Sequence, residues 1–96
     1  MAEEKKKIDY SDLEKKLEEL DATSFQRAER ACRASADPTP DIIYSAAFRA
    51  RLAAEALGIP YEDVRKAGLK TYTAIIQRTL NFLLQSLGEE VLKQNA

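Results

Sequence analysis

From Ile42 to Leu57 the chain is apolar around most of a helical circumference, with Ala46, Ala47, Ala50, Ala53, Ala54 and Ala56 supplying small side chains. A helix apolar all round must be covered all round, and alanines let neighbouring backbones come close. In a chain of 96 residues this leaves room for one modest core, so the remaining segments are expected to wrap this helix as a single domain. Thr39-Pro40-Asp41 opens the helix with a threonine cap and a proline at the first helical position, and Gly58 ends it.

The flanking segments read as helices too. Ser11-Asp12-Leu13-Glu14 fits a capping box, so a helix is expected to about Leu20, with Leu13, Leu17 and Leu20 as a narrow stripe that packs by one edge. Thr23 and Gln26 repeat the pattern, and Phe25, Ala28, Cys32 and Ala36 recur at helical spacing until Asp37-Pro38. Pro60 starts a short helix through about Lys66, with Glu62 and Asp63 in its first turn where the macrodipole favours acids. The last helix is expected from near Lys70 to Leu87, carrying Tyr72, Ile75, Ile76, Leu80, Leu83, Leu84 and Leu87 inward before Gly88 ends it. The expected fold is all-α, a five-helix orthogonal bundle around a buried Ala-rich central helix. Residues 10–96 form the single helical domain, and residues 1–9 a charged, disordered leader, a solubilising tail without apolar anchors.

The inventory points away from catalysis. The chain has no histidine, which removes the usual general base near neutral pH and any His-based metal site. Its single cysteine, Cys32, falls on the inward stripe and reads as a structural thiol; no internal disulfide is possible, which fits a reducing compartment. The glycines Gly58, Gly68 and Gly88 mark helix ends and do not form a phosphate-cradling loop. Glu62-Asp63 and Glu89-Glu90 are sequence neighbours, which do not face each other on a helix. The expectation is therefore a non-enzyme with no catalytic residues, no metal, no cofactor and no small-molecule substrate. No window is apolar enough to span a bilayer.

Formal charge is −1 overall, yet from Val64 to Gly88 the chain holds Arg65, Lys66, Lys70 and Arg78 and no acid. A short helix, a connection containing Gly68 and a longer helix form a helix-turn-helix outline, whose second helix can enter a major groove. Lys70, Ala74, Gln77, Arg78, Asn81 and Gln85 share an outward stripe of that second helix. Gln and Asn suit adenine edges, and Arg suits guanine or phosphate. The candidate DNA-binding residues are Arg65, Lys66, Lys70, Gln77, Arg78 and Asn81. The competing reading is a plain solvated face, since every amphipathic helix has one.

The run Arg65-Lys66-Ala67-Gly68-Leu69-Lys70-Thr71-Tyr72, followed by Ile75, Leu80, Phe82, Leu83 and Leu84, resembles the turn and following helix of the origin recognition complex subunit 6 N-terminal domain. Phe25-Gln26-Arg27-Ala28-Glu29-Arg30 resembles the family's early helix, and the Ala-rich segment its buried central one. The resemblance implies a cyclin-box fold similar to the core repeats of transcription factor IIB. It also implies double-stranded DNA as partner, in replication initiation in the nucleus alongside other initiation subunits, with Lys70 at the family's basic position. Ala67 stands where that family usually has serine. The alternative is a protein-interaction module of cyclin-box type, or a designed helical bundle, without nucleic-acid binding, because fold does not dictate function.

Overall fold

The computed structural model describes residue 5 and residues 7–95, with side chains through residue 85. Five α-helices follow one another: α1 (Leu13–Glu18), α2 (Ala22–Ala34), α3 (Ala46–Leu57), α4 (Tyr61–Arg65) and α5 (Leu69–Asn95); a 3₁₀ turn, Ile42–Tyr44, precedes α3. The chain is an all-α bundle in which α3 packs against each of the other four helices. Phe48, Ala50 and Ala53 of α3 have no exposed surface, as its apolar circumference requires.

Two packed clusters share α3. The larger joins Leu13 and Leu17 of α1, Ala28 and Cys32 of α2, Ile42 and Ile43, Phe48 and Leu52 of α3, and Ile75 of α5. The smaller seats Val64 of α4 on Ala50 and Ala54, where alanine lets the helices come close. Phe25 meets Phe48 edge-on, with ring centroids 4.8 Å apart. Burial pushes the Cys32 thiol up, away from the reactive thiolate.

Several boundaries differ from the sequence expectation, each for a local reason. The central segment is not one helix from Asp41. It breaks at Ser45, whose hydroxyl donates to Asp37 Oδ2 and accepts from the Phe48 N–H at 3.2 Å, so α3 starts there. The expected capping boxes at Ser11 and Thr23 are not formed: Ser11 bonds back to Asp9, and Asp21 caps α2 by accepting from the Thr23 N–H at 2.9 Å. Helix α1 stops at Glu18, short of Leu20, yet Leu13 and Leu17 are almost wholly buried, deeper than a one-edge contact. Helix α5 continues through Gly88 to Asn95, and Leu84, expected inward, is 40% exposed. Of the leader, residues 1–4 and 6 lie outside the described residues; Ile8 is half-buried and packs against both clusters.

Candidate binding surfaces

The six residues expected to face DNA separate into four groups. Arg78 is a tertiary clasp: its Nε donates to Glu14 Oε2 at 2.8 Å, its Nη2 to Glu14 Oε1, and Nη2 also reaches the Ser11 carbonyl at 3.3 Å. Its guanidinium lies 5.3 Å from the Tyr10 ring centroid. The hydrogen bonds from Arg78 hold the Glu14 carboxyl below its usual range, and those to Glu14 raise the Arg78 guanidinium. The expectation that Arg78 points outward as a free cation is corrected by this bidentate pair with the N-terminal helix.

Arg65 is paired one turn back with Glu62, at 2.6 Å, which raises its guanidinium. Gln77 donates to Asn81 Oδ1 at 3.2 Å; both are exposed on one face, each partly satisfying the other. Lys66, at the end of α4, and Lys70, in the first turn of α5, are exposed and carry no ion pair among the described residues. Lys5 joins them. Its Cδ lies 3.4 Å from the position that a Cβ on Gly68 would take, so the N-terminal arm passes over the α4–α5 turn.

A second surface is apolar. Leu17, Leu20, Phe25, Leu52, Phe82 and Leu83 line an open trough of about 330 Å³ between α1, α2, α3 and α5, with Asp21 on its rim. Through Leu17, Leu20 and Phe82 it runs into a more polar hollow of about 600 Å³ bounded by Glu14, Lys15, Glu18 and Gln85. From the sequence, Phe25, Leu52 and Leu83 are expected in the core and Leu17 and Leu20 on a stripe packed by one edge, while Phe82 has no assigned side. The signal that they also open to solvent was available in the acids at positions 14, 18 and 21, each one residue after a leucine of the 13, 17 and 20 stripe.

Among the described residues no three of His, Cys, Asp and Glu come together as a metal site, and no helix is long and apolar enough to cross a membrane. Compared with protein-family models, curated proteins and solved structures, the chain gives no match.

Proposed function

We propose that the chain is a non-catalytic protein-interaction domain that holds an apolar helical segment of a partner in the α1–α2–α5 trough. The carrying observation is the lining of Leu20, Phe25, Phe82 and Leu83, large side chains left partly open beside the buried core to which Leu17 belongs. Concave apolar sites of this kind accept one face of an amphipathic helix through anchors at i, i+3, i+4 and i+7. The pairing of Arg78 and Arg65 supports the same reading, because cations neutralised within the fold release few counterions from a polyanion. The test is an NMR titration with amphipathic helical peptides. Resonances of Leu20, Phe25 and Phe82 should shift together, and a Phe25→Ser variant that still folds should lose the response. Peptides that leave these resonances in place would defeat the reading.

A second reading, DNA binding in replication initiation in the nucleus, draws on the charge left at the α4–α5 turn, where Lys5, Lys66 and Lys70 gather around Gly68. Fluorescent duplex DNA titrated at two salt concentrations separates the two. Affinity that falls steeply with salt and is lost on neutralising these three lysines favours DNA; no binding at low salt retires it.

A further inference from the structure

We infer that the segment captured by this trough is a basic amphipathic helix of a partner protein, one that lays Lys or Arg side chains along α1 beside its apolar anchors. The inference rests on the interaction reading above and adds the charge of the partner.

Two parallel stripes run through residues 13–21. Leu17 and Leu20 line the trough while Leu13 is buried in the core one turn earlier, and Glu14, Glu18 and Asp21 each follow one of these leucines by one residue along the same lining. Glu14 shows what such a carboxylate accepts here, since Arg78 of the neighbouring helix α5 docks on it with two parallel hydrogen bonds and lies against Tyr10. The next two positions have no equivalent. Among the described residues neither Glu18 nor Asp21 has an ion-pair partner, and the described part of α5 places the uncharged Gln85 beside Glu18. Asp21 Oδ1 accepts from the Thr23 N–H, which leaves its second oxygen available. Among the described residues, Lys15 is the one cation bounding the trough.

A partner helix in the trough would thus present its flank to two carboxylates held beside an apolar lining. An acidic flank would meet like charge there, and a basic flank would repeat the arrangement already made by Arg78. Selection by charge matters more than affinity in such an arrangement, because each exposed pair contributes modestly.

Three synthetic helical peptides with one apolar stripe and flanks of Lys, Glu or Ser test this. By NMR titration of the full chain, the Lys-flanked peptide should shift Leu17, Leu20, Phe25 and Phe82 and bind about tenfold tighter than the Glu-flanked one, as two exposed pairs allow. That preference should shrink with added salt. The double variant Glu18→Gln with Asp21→Asn should bring the peptides level while leaving the fold intact, because Glu18 is exposed and Asn caps a helix as well as Asp. Equal binding of Lys and Glu peptides at the trough would overturn the charge inference and leave the interaction reading standing. Failure of all three to shift those resonances would overturn both. Shifts of the same resonances with protein concentration alone would give the trough to a second copy of the chain, and would also overturn it.

Discussion

Arg78 shows how much one tertiary contact can change the meaning of a residue. On the sequence it is a cation in an acid-free run; in the fold it faces Glu14, 64 positions earlier, and serves to fasten α1 to α5. No local pattern carries that information, because a helical stripe gives direction around the helix but not what lies opposite. The clasp is part-exposed, with side chains 31% and 47% accessible, so Glu14→Gln should cost at most about 1 kcal/mol in urea unfolding at neutral pH. The sign with pH follows from the depressed carboxyl. Its contribution is complete above the ordinary carboxylate value, about 4, and fades as pH falls through the lower folded value, so wild type and variant should converge in acid. Asp37 provides a second acid-sensitive point. Hydrogen bonds from Ser45 and Thr39 hold its carboxyl at about 2. Thermal unfolding of the wild type should therefore show stability lost as pH drops from about 4 toward 2, and Asp37→Ala should remove that part of the slope. A slope unchanged in the variant would mean that Asp37 is not what anchors the start of α3.

At the scale of the elements, most of the helices were legible because their ends are written in residues with local physical preferences. Gly58 is the clearest: its φ of +71° closes α3 with hydrogen bonds from the Gly58 and Ile59 N–H groups to the Glu55 and Ala54 carbonyls. Helix α2 ends with the same pair of bonds, from Ala36 to Arg33 and from Asp37 to Cys32, but the left-handed position is filled by Ala36, at φ 65°. An alanine there bears a steric cost that glycine avoids. Ala36→Gly should therefore raise stability by up to about 1 kcal/mol, and Gly58→Ala should lower it by about as much. Urea midpoints decide both; a loss in each case would show that the α2 terminus tolerates alanine without strain. The boundaries that sequence reading misplaced are those set from elsewhere. Ser45 interrupts the central segment because Asp37, eight residues earlier, holds its hydroxyl. Gly88 fails to stop α5 because a glycine inside a helix costs only about 1 kcal/mol and no proline follows to enforce an end.

For the whole molecule, the question is what joins the two clusters, since α3 presents Phe48, Leu52 and Ala53 to one and Ala50 and Ala54 to the other. The N-terminal arm contributes to both through Ile8, a residue the charge-rich composition of its neighbours disguised as part of a solvated tail. One isoleucine among lysines and acids gives no periodicity, so its docking could be learned only once α3, α4 and α5 had created the place it fills. Its half-burial corresponds to about 1 kcal/mol, roughly half the value of a fully buried aliphatic side chain. Ile8→Ser should accordingly lower the urea midpoint and slightly reduce the denaturant slope, because an arm already undocked in the folded variant adds no further surface on unfolding. The same variant should loosen Lys5 from the α4–α5 turn, the position that gathers charge there. An unchanged midpoint would mean that the arm adds no stability to the bundle and that the two clusters are joined by α3 alone.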